Sequence, residues 1–454
     1  MEEKSKRLML VFFLVMSATF RFCFSAQSQP PPKKRSTQST ADNRFGSSAV
    51  FPVTGNSYPL GYYSVSLSIG YPPKLYDLDI DTGSDLTWVQ CDAPCSGCTK
   101  PRDNLYNPRG NRVPCKDPLC SAIHLPANLQ CETPDDQCDY EVEYADHGSS
   151  LGVLVIDHIP LRLTNGSILG PRLAFGCGYD QRNPSPNPLP PTAGVLGLGN
   201  GKVSIMSQLH DLGLTQNVLG HCLSGRGGGF LFLGDDLVPS SGISWAPMSH
   251  NSLEKHYSSG PAELLFGRKS TGVRGLQVVF DSGSSYTYFS SQAYKTTLDL
   301  VRGGLTEKPL KDTTEDQTLP ICWRGTKPLK TVHEVKDYFK PLLLSFSKNV
   351  QLHLPPEAYL IVTEHGNVCL GILNGTEVGL GDFNIIGDIS LQDKMVIYDN
   401  EKQQIGWASA DCDRLPNADR NYNEGFWQPY AADFGILQET ELLPTAEKSK
   451  RHAL

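Results

Sequence analysis

Apolar and polar positions alternate along most of the chain in short runs such as Y-Y-S-V-S-L-S-I-G (62–70), Y-D-L-D-I-D (76–81) and G-G-F-L-F-L-G (228–234). A period of two sends successive side chains to opposite faces, so these runs predict strands separated by turns. Helical spacing surfaces in only three stretches: V-S-I-M-S-Q-L (203–209), S-S-Q-A-Y-K-T-T-L-D-L-V (290–301) and V-H-E-V-K-D-Y-F (332–339). The expected class is mainly β.

The pattern also repeats. L-D-I-D-T-G-S-D-L-T-W (78–88) is echoed by V-V-F-D-S-G-S-S-Y-T-Y-F (278–289), each an apolar strand running into Asp, then Thr or Ser, then Gly and Ser. A second echo lies at a similar distance beyond each copy, G-V-L-G-L-G (194–199) and N-I-I-G-D-I (384–389). Such duplication predicts two similar lobes related by an approximate twofold axis, at 58–243 and 244–412, with a central cleft. Equivalent loops then meet across the axis, and Asp81 faces Asp281.

A chain of 454 residues is long enough for two cores. Its formal charge of -8 provides no basic footprint for nucleic acid. At the N-terminus a charged start leads into an apolar stretch, Leu8 to Phe20, which is too short to span a bilayer but fits a secretory signal ending near Ala26. Residues 27–57, with K-K-R at 33–35, are expected to form a propeptide or linker, and 413–454 a polar tail without an apolar anchor signal.

Removal of the signal takes Cys23 and leaves twelve of the 13 cysteines. In an exported chain these predict disulfides. Nine of them (Cys91, Cys95, Cys98, Cys115, Cys120, Cys131, Cys138, Cys177 and Cys222) precede the midpoint, and three (Cys322, Cys369 and Cys412) follow it. Both counts are odd, so full oxidation requires a bridge between the halves, with Cys222 and Cys412 the candidates. A zinc site built on Cys91, Cys95 and Cys98, with Cys115 or His124, is the competing reading. It needs reduced thiolates. Asn165 and Asn374 head glycosylation sequons.

Two carboxyl groups sharing one site cannot both ionise cheaply, so they hold one proton between them. Such a pair supplies a base and an acid together. One member draws a proton from water while the other donates to a carbonyl oxygen, which suits peptide hydrolysis at acidic pH. Within the triplets, Gly83 and Gly283 allow close approach of the loops. Thr82 and Ser282 have hydroxyls able to bond across the axis, and Ser84 and Ser284 can orient the outer carboxylate oxygens. Ile80 and Phe280 are expected to shield the site.

Taken together, these residues resemble a pepsin-type aspartic protease from about Tyr58 to Cys412, and more narrowly the plant nepenthesin-like and nucellin-like branch. The likeness to that branch rests on W-V-Q-C-D-A-P-C-S-G-C after the first triplet, F-G-C-G (175–178) and H-C-L-S (221–224). It implies an aspartic endopeptidase with Asp81 and Asp281 catalytic, a Cys-rich insert at 91–138 and a flap hairpin at 140–153. Tyr144 is then the flap tyrosine and Trp88 the indole that bonds it. It further implies a peptide or protein substrate, no cofactor or metal, a monomer, and passage through the secretory pathway to the apoplast or vacuole. Ala145 and His147 depart from the small flap residues usual in that family, and Ala193 stands where it often has Asp.

The same resemblance extends to secreted plant inhibitors of microbial xylanase, which keep the fold without an intact catalytic apparatus. Here both triplets, Tyr144 and Trp88 are present. G-S-S-L-G (148–152) satisfies the pattern of a serine nucleophile elbow but is followed by a β-rich run where a helix is needed. Asp79 and Asp85 are read as solvated or hydrogen-bonded turn acids, His147 as exposed, and Cys222 beside His221 as bridged. Trp88, Tyr144 and Phe280 are expected to bound an apolar cleft that favours bulky apolar residues at the cut.

Overall fold

The computed structural model describes residues 48–125, 131–182, 191–249 and 255–416. The signal, the K-K-R segment and most of the tail lie outside these residues. Within them the chain is mainly β, with 26 strands in four sheets.

The strand that bears the first triplet, Lys74–Asp81, shows how alternation sets the site. Tyr76, Leu78 and Ile80 are buried in the core on one face, while Asp77, Asp79 and Asp81 share the other. Gly194–Gly197 runs parallel to it, with Gly197 opposite Asp81. In the second half Asn384–Ile386 runs parallel to Lys269–Phe280, with Ile386 opposite Phe280. This explains the apolar-apolar-Gly echo. A Cβ on Gly197 would lie 2.5 Å from the Leu86 carbonyl carbon, and one on Gly387 would lie 2.1 Å from the Tyr286 carbonyl oxygen. Only glycine lets these strands slip past the triplet loops.

The halves share a sheet. Val218–Leu223 from the first half pairs with Lys394–Asp399 from near the chain's end, which pairs with Gln404–Ser409 and then Ser244–Pro247. The Cys222–Cys412 disulfide ties the same region, across a separation of 190 residues. Cys322–Cys369 lies within the second half. The remaining bridges are Cys91–Cys177, Cys95–Cys98, Cys115–Cys131 and Cys120–Cys138. None of the sulfurs invoked for zinc is therefore a free thiolate, and that reading is withdrawn.

Three expectations about elements need correction. Ala49–Asn56 falls inside the segment expected to be propeptide or linker, yet it is a sheet strand hydrogen-bonded to Gly229–Leu233 on one edge and Tyr62–Ile69 on the other. The stretch 332–339 is two short 3-10 turns, Val332–Glu334 and Lys336–Tyr338, broken at Val335, where φ is -128°. Its start is held by a capping box between Thr331 and Glu334. By contrast, Ser291–Leu305 is a helix with Ala293, Thr297, Val301 and Leu305 buried as one stripe. The third correction is Phe280. It is fully buried and stacked on Trp407 with ring centroids 5.6 Å apart, so it belongs to the core and not to the cleft wall.

Candidate active site

The two triplet loops meet. A Cβ built on Gly83 would lie 2.6 Å from Oδ1 of Asp281, and one on Gly283 would lie 2.5 Å from Oδ1 of Asp81. Each carboxylate is held in the same way by its own loop. Asp81 accepts from the Gly83 backbone N–H at 2.8 Å and from the Ser84 hydroxyl. Asp281 accepts from the Gly283 N–H at 2.9 Å and the Ser284 hydroxyl at 2.7 Å.

Thr82 and Ser282 lock the loops from beneath. The Thr82 hydroxyl donates to the Phe280 carbonyl at 2.9 Å, while the Ser282 hydroxyl donates to the Ile80 carbonyl at 3.0 Å. Each hydroxyl also accepts the other residue's N–H, at 3.2 and 3.0 Å. Both residues are buried. Four bonds in a water-excluded crossing fix the separation of the carboxylates far better than one exposed contact could.

Burial raises the Asp81 carboxyl above its ordinary range, and the charge of Asp281 raises it further, against the lowering effect of Ser84 and Gly83. The arrangement can hold a single proton over two carboxyls, leaving one acid and one base in contact.

Above the pair lies a hairpin of Asp139–Glu143 and Ser149–His158. Its turn is closed by Tyr144 N–H to the Gly148 carbonyl at 2.8 Å, with His147 at the tip in the left-handed region at φ 67° and exposed. The Trp88 indole N–H donates to the Tyr144 hydroxyl at 2.6 Å. Seven residues after each Asp of the pair stands an aromatic side chain lining the cleft, Trp88 in one half and Tyr288 in the other. The cleft has a volume of about 910 Å³ and also includes Val279, Phe383 and Ile385.

Sequence reasoning missed several of these. Tyr288 was legible as the pseudo-symmetric partner of Trp88. Phe383 and Ile385 carry no local signal, since only the fold brings 379–385 to the cleft. Asp79 and Asp85 are not simple turn acids. Asp85 is buried and faces the Lys255 ammonium at 3.4 Å. Asp79 sits in a strand and lines the cleft.

Ser150 is buried near the start of the strand Ser149–His158, paired on both edges and bonded to the Tyr140 hydroxyl at 3.0 Å, so the serine-elbow pattern has neither the strand-to-helix turn nor the exposure it requires. His221 is buried, its Nε2 3.1 Å from the Tyr398 hydroxyl, and burial depresses its basicity to a pKa of about 3. Asn165 is exposed, whereas the Asn374 amide accepts from Ser291 and donates to Glu377.

Residues 63–235 match the family described as Xylanase inhibitor N-terminal, and residues 262–409 match Xylanase inhibitor C-terminal. The chain is 45% identical to an aspartic proteinase of Oryza sativa subsp. japonica over 388 residues, covering 82% of this chain and 93% of the relative. Among solved structures it resembles basic 7S globulin from soybean, with a TM-score of 0.62 at 17% identity over 82% of this chain and 99% of that one. It also resembles the aspartic proteinase of Irpex lacteus, with a TM-score of 0.57 at 17% identity over 80% and 98%.

Proposed function

Because the chain belongs to the pepsin-like aspartic proteinase family, alongside its rice relative, we propose that it is an endopeptidase working at acidic pH. Asp81 and Asp281 are its acid–base pair. The observation that carries this reading is the mutual approach of the two carboxylates, each with its own backbone and serine donor, at the floor of a covered cleft.

The chemistry follows from one shared proton. The ionised carboxyl takes a proton from a water between the two, and the oxygen adds to the scissile carbonyl carbon. The protonated carboxyl gives its proton to the carbonyl oxygen, so a neutral tetrahedral diol forms without a covalent enzyme adduct. Return of a proton to the amide nitrogen makes it a leaving amine, and the carbon–nitrogen bond breaks. Tyr144, anchored by Trp88, covers the intermediate from above. No metal or organic group takes part in this scheme.

The disulfides support an oxidising compartment, which suits secretion to the apoplast or vacuole. With Ala49–Asn56 counted into the first sheet, lobes at 49–243 and 244–412, with the cysteine-rich insert and flap hairpin inside the first, are the proposed division of the chain. The substrate is a peptide or protein and the enzyme acts as a monomer.

The family descriptions favour a second reading, a binding protein of the xylanase-inhibitor kind. The experiment that separates the two is digestion of a peptide library at acidic pH by the purified protein, with and without a statine-type transition-state analogue. Cleavage that the analogue blocks, and that Asp281→Asn abolishes, is expected. Inhibition of a microbial xylanase, with no cleavage at any acidic pH, would assign the protein to the binding class.

A further inference from the structure

Asp79 occupies an unusual position for a carboxylate. It shares a strand face with Asp81 two residues on, lines the same cleft, and its charge is felt by the Tyr144 hydroxyl above. The Thr192 hydroxyl donates to its Oδ2 at 2.9 Å, but its buried Oδ1 has no hydrogen-bond partner. Among the described residues no cation forms an ion pair with it. Lys100, whose field reaches it, gives its ammonium to the Pro191 carbonyl instead.

The rest of the cleft lining has the same sign. Six carboxylates line it, Asp79, Asp81, Glu143, Asp146, Asp281 and Asp382, against Arg182 and His256. Gln181, which also lines it, has both side-chain amide atoms buried without partners. An acidic cleft with low-dielectric walls concentrates cations, and an unpaired buried carboxylate gains most from one.

We propose that Asp79 is a specificity-determining residue, and that the pocket it lines accepts the cationic side chain of a lysine or arginine near the scissile bond. This rests on the proteolytic reading above and corrects the expectation of a purely apolar cleft. A turn about the Cβ–Cγ bond of Asp79 presents its unpartnered oxygen, buried in this conformation, to the substrate's ammonium or guanidinium, while Trp88 and Tyr144 cover the aliphatic stem. A cation at that oxygen favours the ionised carboxylate and so offsets the burial that otherwise keeps the group protonated.

The test uses peptide pairs that differ at one position, lysine against norleucine, placed in turn at each of the four positions flanking the cut. The wild-type enzyme is expected to prefer lysine by about 10- to 100-fold in kcat/KM at one position, the range of a charge-assisted hydrogen bond. Asp79→Asn should reduce that ratio to near one. Fluorescence anisotropy of the same labelled peptides on the Asp281→Asn protein reads affinity without turnover. A lysine preference in binding without any cleavage by the wild type would sink the proteolytic reading and leave the pocket standing. A ratio at or below one at all four positions, or one that Asp79→Asn leaves intact, overturns the proposal.

Discussion

Gly283→Ala is the sharpest perturbation of the carboxylate pair, because it adds one methyl group at the point where the loops touch. Its φ is not positive, so alanine meets no backbone obstacle there. The new Cβ would stand 2.5 Å from Oδ1 and 2.8 Å from Cγ of Asp81, and 3.3 Å from Oδ1 of Asp281. Favourable contacts begin near about 3.5 Å, so the Asp81 carboxyl must retreat by roughly 1 Å. A misplacement of that size costs on the order of 10²-fold in rate. The stability penalty is that of mild overpacking, about 1–3 kcal/mol.

The assay measures kcat and KM on a fluorogenic peptide at acidic pH, with thermal melting by circular dichroism on the same samples. Gly170→Ala is the control, since a Cβ there meets nothing within 4 Å. By pseudo-symmetry Gly83→Ala should behave like Gly283→Ala, its Cβ falling 2.6 Å from Asp281 Oδ1. The expected pattern is a collapse of kcat in both loop variants with a native-like melt. If a correctly folded Gly283→Ala protein kept kcat within about 3-fold of wild type, the facing carboxylates would not be the reacting groups.

Two further outcomes are expected. Trp88→Phe removes the indole donor from the Tyr144 hydroxyl, and a lost neutral hydrogen bond of about 1 kcal/mol should appear as a roughly 5-fold drop in kcat/KM with little change in melting temperature. Unchanged kinetics would mean that the bond does not position the hairpin. Burial pushes the Asp79 carboxyl up to about 7, well above its unfolded value of about 3.9. Its contribution to stability is therefore fully present below about pH 4 and is lost as pH rises through about 7. The melting temperature of wild type should fall more steeply over that interval than that of Asp79→Asn, by the equivalent of about 4 kcal/mol. Parallel pH curves for the two proteins would contradict this assignment.

Much of the molecule was written in short-range pattern. Alternation marked the strands around both triplets, and the duplicated D-[ST]-G motifs with their apolar-apolar-Gly echoes required two similar halves, because each local signal needs only a few neighbouring residues to express it. The odd split of cysteines required a bridge between the halves by arithmetic alone. Other features depend on contacts between residues more than a hundred positions apart, where no local pattern operates. The strand Ala49–Asn56 reads as linker until Gly229–Leu233 offers it an edge. Phe280 looks like a cleft residue until Trp407 covers it. Asp79 differs from a solvated turn acid only because the cleft walls close around it and leave one oxygen without a donor. The sequence by itself determined which strands form and which loops repeat, since backbone geometry and side-chain period are local. Tertiary structure alone decided which of those side chains lose their water, and desolvation is what turns a carboxylate into a group with an altered proton affinity.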